Sequence, residues 1–391
     1  MSSKRTADQE ALVAEAQSFA RDTLIPLTGS ADEGASASVD CRAMWDACMA
    51  ARYTGLPLST SVGGRGLSLT DCMLVFESMA AAGADPGFLF SLGVHQFAVA
   101  VSVASIGSED QRAQWLKQMA EGSCIGALAV SEPEAGSDTY AMTTRAEENA
   151  DGFAISGEKI WISNAPVADL FVVLARTDDA PGMFGISSFV VPSTTKGLTI
   201  ERGPAKAGIR NAPWGSVRLD RAVVSKNNLL GGCGGGGAVF QSSMRWERCG
   251  LYAIALGAMR KSFGDCLAHV RHRTQFGKPL VDNDVVARSI ALMKTRLEAA
   301  RLLLYDAAAA IDDGEPDDAA VCLAKAYVSE SAVANALAAQ ELFGAAGVLE
   351  QSAATTFLND MLPFRVLSGA TDVQYKIATR LMLRAHERAH E

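Results

Sequence analysis

The sequence predicts a mostly helical α+β chain in which helices come first, a β region follows, and long helices finish. Two patterns and the composition carry this. Short apolar runs at 125–130, 169–175, 185–191 and 197–200, separated by Gly, Pro, Asp and Ser, mark strands and their turns. Farther on, Val286, Ile290, Met293, Leu297, Ala300 and Leu304 recur at intervals of 4, 3, 4, 3 and 4, lining one face of a long helix. With 49% hydrophobic and 20% charged residues among 391, the chain can build a large core and divides into two or three units.

Residues 1–120 read as helices joined by Gly- and Pro-marked turns such as Thr54-Gly-Leu-Pro57 and Gly83-Ala-Asp-Pro86. Residues 121–235 read as an antiparallel β module that ends in the glycine run 231–237. That run lacks the Lys-Ser/Thr of a phosphate loop and sits in no βαβ unit, so it reads as a flexible joint. From 236 to 391 the helical period returns. The helix over 286–304 is followed by an alanine-rich one at about 316–345 and a last one at about 372–390. Long helices with short joints imply an antiparallel bundle.

Asp plus Glu is 44 against 35 Lys plus Arg, a net charge of −9, which argues against a nucleic-acid binder. Residues 1–17 contain no apolar h-region, so no secretory signal is expected. The apolar stretch 88–106 is interrupted by Ser91, His95, Gln96, Ser102 and Ser105 and lacks basic anchors; it reads as a buried helix, not a membrane span. The eight cysteines have neither CxxC nor zinc spacing, and the five histidines have no ligand spacing. Reduced cysteines, no metal and a cytoplasmic location are the expectation.

Two motifs carry candidate chemistry. Ser131-Glu-Pro-Glu-Ala-Gly-Ser-Asp138 follows a strand and is dense in turn residues and small donors, able to present N–H groups and hydroxyls to a planar, carbonyl-rich ligand. Alone, it reads as an acidic turn. Lys159-Ile-Trp-Ile-Ser-Asn164 sets Trp161 beside polar residues at a strand end; alone, such a tryptophan reads as core.

These motifs, with Arg273-Thr-Gln-Phe-Gly-Lys-Pro279 and Gln340-Glu-Leu-Phe-Gly344 in that order and spacing, resemble the acyl-CoA dehydrogenase superfamily over nearly the whole chain. The resemblance implies an N-terminal helical domain (1–120), a middle β domain (121–235) and a C-terminal four-helix bundle (236–391). It further implies FAD at a subunit interface of a homotetramer, and removal of hydrogen from the α and β carbons of a thioester. By the same resemblance Val130, Ser131 and Ser137 border flavin and substrate, and Trp161 and Ser163 contact the isoalloxazine. Arg273 and Phe276 reach the FAD of a neighbouring subunit, which Gln340 and Gly344 also approach. Ala370 and Asp372 lie in a further cofactor-contacting segment.

In most of the superfamily a glutamate opens a Glu-Gly-Thr segment and serves as the α-proton base. Here that place holds Ser368, whose hydroxyl is no base unless activated. Glu247, in Arg245-Trp-Glu-Arg248, occupies the first bundle helix where isovaleryl-CoA-type members carry their glutamate. Ser243, Met244, Gly250 and Leu251 surround it at helical spacing, a small apolar face that desolvates a carboxylate and strengthens it as a base. Glu247 is therefore the expected base, with Arg248, Gly250 and Ser368 beside the substrate and Gly250 leaving it room. His95 reads as a core residue or a substrate contact.

His95-Gln-Phe97, residues 164–169, 239–248 and 292–304 are similar to the prolyl-carrier-protein oxidases, which turn a carrier-bound proline into a pyrrole-2-carboxyl thioester. Short branched-chain acyl-CoA dehydrogenation, redox-neutral cyclisation and a catalytically silent flavoprotein are the alternatives. Oxygen or an electron-transfer flavoprotein is the implied acceptor. An acidic carrier needs a basic landing area, for which Arg202, Lys206 and Arg210, or Arg260 and Lys261, are candidates.

Overall fold

The computed structural model describes residues 5–28 and 41–390. The first helix, α1 (Ala7–Phe19), begins at Thr6, whose hydroxyl accepts from Gln9 N while the Gln9 side chain accepts from Thr6 N. α2 (Cys41–Ala50), α3 (Leu69–Ala82), α4 (Pro86–Ile106) and α5 (Glu109–Glu121) complete the N-terminal helices. Among the described residues only α4 is long and apolar enough to cross a membrane, and 83% of its apolar window is buried inside the fold, as expected of a core helix. A π-helical turn over Val94–Ala100 lies in its middle.

The middle region holds β1 (Gly126–Ala129), β2 (Arg145–Asn149), β3 (Gly152–Ser163), β4 (Leu170–Arg176), β5 (Ile186–Pro192), β6 (Leu198–Arg202), β7 (Trp214–Val224) and β8 (Leu229–Leu230). They form one sheet in the order β6-β7-β3-β2-β4-β5-β8, with β1 against β4. The expectation of a purely antiparallel module needs correcting. β1 runs parallel to β4 from Gly126↔Leu170 to Ala129↔Val173, and β2 meets β4 in parallel at Arg145↔Arg176. The uninterrupted burial of 170–175 fits this, because a strand covered on both faces loses its polar alternation.

The glycine joint is a hydrogen-bonded turn. Gly231, Gly232 and Gly234 take φ of 78°, 83° and 75°, and Gly234 N donates to Ser187 Oγ at 2.8 Å. Cys233, within it, is exposed; Cys41 is half-buried and the other six cysteines are buried. None of the eight is bridged.

The chain then enters α6 (Gly236–His272), a short hairpin of β9 (Thr274–Gln275) and β10 (Lys278–Pro279), α7 (Asp284–Asp312), α8 (Asp318–Phe343), α9 (Ala353–Met361) and α10 (Thr371–Arg388). α6, α7, α8 and α10 pack on one another, and α6 also packs along α3. Every residue from Cys249 to Met259 is buried. Bundle and N-terminal helices are tied by fully buried Glu77, which accepts from Arg260, Arg301 and Tyr305.

Candidate active site

Glu247 sits in the first half of α6, 7% exposed. Ser368 Oγ donates to its carboxylate at 2.5 Å, across 121 residues of sequence. Burial raises the Glu247 pKa, while the Ser368 hydroxyl and the nearby Arg248 charge pull it down. Ser368 has φ of 52°, a left-handed conformation uncommon for a non-glycine residue, and the surroundings hold it there. Its carbonyl accepts from Arg248 Nε at 3.2 Å. Just upstream, Tyr252 Oη donates to the carbonyls of Phe364 (2.6 Å) and Leu367 (2.9 Å), and Ser329 Oγ also donates to Phe364 O. α6 and α8 thus hold both ends of the contact.

Lys325, three residues beyond Cys322 on α8, is fully buried behind this array. Its amine lies 5.1 Å from the Tyr252 ring centroid and has no hydrogen-bond partner among the described residues. Burial, with Arg248 nearby, lowers its pKa to about 7.

A cleft of about 660 Å³ opens beside this region. Thr139 and Tyr140 border it from the loop after Ser137, with Met183 and Phe184 from the β4–β5 connection. Met244, Arg245 and Arg248 of α6 form another wall, and Ile377, Leu381 and Arg384 of α10 a further one. Arg245 is held in place by Asp318, with Nε–Oδ1 at 2.6 Å and Nη2–Oδ2 at 2.9 Å.

The 131–138 loop is more than an acidic turn. Glu132 points inward, 3% exposed, and its carboxylate accepts from fully buried Lys159 at 2.8 Å. It also accepts from Thr143 N and Thr144 N, while Lys159 Nζ donates in addition to Val130 O at 2.9 Å. Burial pushes Glu132 up, but Lys159 and the hydrogen bonds outweigh it and hold the carboxyl at about 2. Burial lowers Lys159 to about 8. Sequence reasoning missed this brace; a lysine amid the inward positions of an apolar strand was the available signal.

Fixed by that brace, Ser131 is half-buried and Ser137 exposed, while Val130 is buried. Trp161 has φ of 61° next to a register shift between β3 and β7, and its indole is 65% exposed, stacked on Trp214 at 4.8 Å and 10°. Ser163, half-buried, pairs in register with Trp214. Half-buried Ala370 caps α10, and exposed Asp372 lies in its first turn.

Arg273, Phe276, Gln340 and Gly344 lie elsewhere. The first two follow the C-terminus of α6, and the last two end α8 beside them, joined by His269 stacked on Phe343 at 4.3 Å. The 25 residues from Glu247 to His272 put this end about 38 Å along the helix axis from the carboxylate. Phe276 is 98% exposed there. Within one chain these four residues do not reach Glu247.

Two expectations are corrected. Fully buried His95 has both ring nitrogens in use: Nε2 meets Met119 O at 3.1 Å, and Nδ1 accepts from Gly126 N at 3.0 Å. It anchors β1 to α4 and is no substrate contact. Gly250 leaves no room for substrate, since a Cβ there would lie 2.5 Å from the Phe97 ring. That ring fills the space and stacks on Trp246.

The chain matches the families described as acyl-CoA dehydrogenase N-terminal domain over residues 6–123, middle domain over 127–222 and C-terminal domain over 234–383. It is 37% identical over 337 residues to an L-prolyl-(peptidyl-carrier protein) dehydrogenase of Pseudomonas fluorescens, covering 86% of this chain and 89% of that one. The solved structure of PigA with FAD and proline has a TM-score of 0.91 at 30% identity, covering 98% of this chain and 99% of PigA. The prolyl acyl carrier protein oxidase AnaB gives 0.92 at 28% identity, covering 97% and 100%. With all three domains matched in order along its length, this chain belongs to the acyl-CoA dehydrogenase family.

Proposed function

We propose that this protein is an FAD-dependent oxidoreductase that oxidises a carrier-bound aminoacyl thioester, L-prolyl carrier protein before others, toward the pyrrole-2-carboxyl thioester. The observation that carries this is the Ser368–Glu247 contact: the serine in the usual base position, in the turn before α10, donates to a buried carboxylate on α6, which supports a base moved to Glu247. Similarity to the Pseudomonas fluorescens dehydrogenase, PigA and AnaB supports the prolyl substrate.

The residues present suit FAD. The exposed indole of Trp161 is a flat apolar plate, and the hydroxyls of Ser131, Ser137 and Ser163 are donors for a ring edged with carbonyls. Nothing lies within 4 Å of where a Cβ would sit on Gly136, which leaves the loop open to close approach. When bound, FAD supplies the two-electron acceptor for the hydride leaving the β carbon. Glu247 takes the α proton onto its carboxylate. Ser368 fixes the direction of that carboxylate and keeps it ionised, and Arg248 holds Ser368 in turn. Burial excludes water from the transfer.

Arg273, Phe276, Gln340 and Gly344, so far from Glu247, serve the cofactor of a neighbouring subunit in a homotetramer, which accounts for the bare Phe276 ring. The eight unbridged cysteines favour the cytoplasm. Oxygen or an electron-transfer flavoprotein is the acceptor, and turnover without air with the flavoprotein added tells them apart.

The test is the intact mass of prolyl-loaded carrier after incubation with the FAD-bound enzyme in air. Loss of four hydrogens is expected; loss of two indicates arrest at pyrroline. An unchanged mass rejects proline and directs attention to short branched acyl-CoAs.

A further inference from the structure

The basic residues that the sequence offered for docking are largely engaged within the chain. Lys206 donates to Ala212 O and lies over the Trp214 ring. Arg260 pairs with buried Glu77, and Lys261 with Asp265. Free positive charge collects instead on α10. Lys376, Arg380, Arg384 and Arg388 follow at every fourth position, all exposed, and none forms an ion pair among the described residues. Against them α10 carries only Asp372 and Glu387, so its net charge is 4 − 2 = +2 in a chain of net −9.

This arrangement does not favour the helix itself. Each of the three i, i+4 neighbours along the stripe repels the next. The helix dipole favours cations only in the last turn, which covers Arg388 but neither Lys376 nor Arg380. The stripe climbs 12 residues, about 18 Å, the length of an opposing helix of three turns. Its position is as telling as its charge. Ile377 and Leu381 lie on the adjoining edge of α10 and line the cleft, and Arg384 belongs to both cleft and stripe. Exposed Leu383 lies next to Arg384.

We propose that α10 is the docking helix for the acidic face of a carrier domain. The stripe meets carboxylates of the carrier, while Ile377, Leu381 and Arg384 guide the pantetheine-linked thioester into the cleft. The inference rests on the carrier-bound substrate of the proposed function. A chain of net negative charge repels an acidic partner at long range, so a local basic surface is what brings the two together.

The experiment uses the FAD-bound enzyme and a K376E/R380E/R388E variant, which leaves Arg384 and the cleft intact. The substrates are the prolyl-loaded carrier of the Pseudomonas fluorescens relative and prolyl-pantetheine thioester, which has the arm without protein or phosphate. Reversal is expected to lower kcat/KM for the loaded carrier by about tenfold or more at low salt and to flatten its salt dependence. Turnover of prolyl-pantetheine stays within about twofold, and a carrier with lysines on its docking face restores the variant. An unchanged kcat/KM for the loaded carrier overturns the proposal. So does an equal loss with prolyl-phosphopantetheine free of protein, which would assign the stripe to the phosphate. If wild-type enzyme oxidises no prolyl thioester, the substrate reading fails, and anisotropy of labelled holo-carrier still decides docking: binding lost on reversal upholds it, and unchanged binding refutes it.

Discussion

Removing the hydroxyl at position 368 tests the heart of the site. In Ser368→Ala the β-carbon stays, so the backbone cost of φ 52° is nearly unchanged and only the donor to Glu247 is lost. A hydrogen bond to a charged group contributes about 1.5–3 kcal/mol. Its loss therefore raises the Glu247 pKa. The direction follows from the groups present: burial already raises this carboxyl, and Ser368 and Arg248 are what oppose it. Glu247 is expected to act as a base only when ionised, so the acid limb of the pH profile moves toward alkaline pH, the rate at a fixed pH on that limb falls by about tenfold or more, and the plateau above it survives. The assay is the anaerobic rate of flavin bleaching by prolyl thioester at low substrate, measured across pH. Ser368→Gly is the companion variant, because it relieves the left-handed strain and loses the same donor. A limb that stays in place in both variants, or moves toward acid, refutes Ser368 as the group that keeps Glu247 ionised.

Glu247→Gln should bind FAD as wild type does and bleach it at least about 10²–10⁴-fold more slowly; retained turnover would return the base to another residue. Lys159→Met strands the Glu132 carboxylate in the interior and should destabilise the enzyme by about 3–5 kcal/mol in chemical denaturation, with looser FAD binding; a loss under about 1 kcal/mol would contradict the brace. Lys325 titrates at about 7 folded against 10.5 in the reference state, so the folded chain binds fewer protons across that window and stability rises as pH climbs through it. Lys325→Met should reduce that rise, as read from denaturation midpoints at neutral and alkaline pH, and an undiminished rise would show that the amine is not desolvated.

The long helices were legible because a period near 3.6 is written locally: Met293, Leu297, Ala300 and Leu304 are buried along α7 as their spacing predicts. β4 and β5 were legible as apolar runs. β2 and β7 were not, since half their residues face water and carry charge, as Arg145, Glu147 and Glu148 do in β2. Strand direction is not local at all, and the parallel pairing of β1 with β4 depends on a connection of some forty residues. Glu247 was singled out through the family resemblance, with Ser368 in the usual base place, yet the contact between the two spans 121 residues and exists only in the fold. His95 and Gly250 illustrate the opposite failure. A histidine in an apolar helix read as core or as a substrate contact, and Met119 and Gly126 take both its ring nitrogens; a gap in a helix face suggested room for substrate, and Phe97 fills it.

Thiol chemistry on this protein is confined in a useful way. Burial pushes Cys124 and Cys249 to about 12 and Cys266 to about 11, which leaves them poor nucleophiles at neutral pH. Cys233, at the surface of the glycine turn, is the thiol an alkylating dye meets first. Its neighbour Gly234 donates to Ser187 of β5 and packs against Phe184, which lines the cleft. A maleimide fluorophore on unmutated enzyme would therefore ride on the seam between sheet and bundle, beside the cleft, and turn occupation of that cleft into an optical signal.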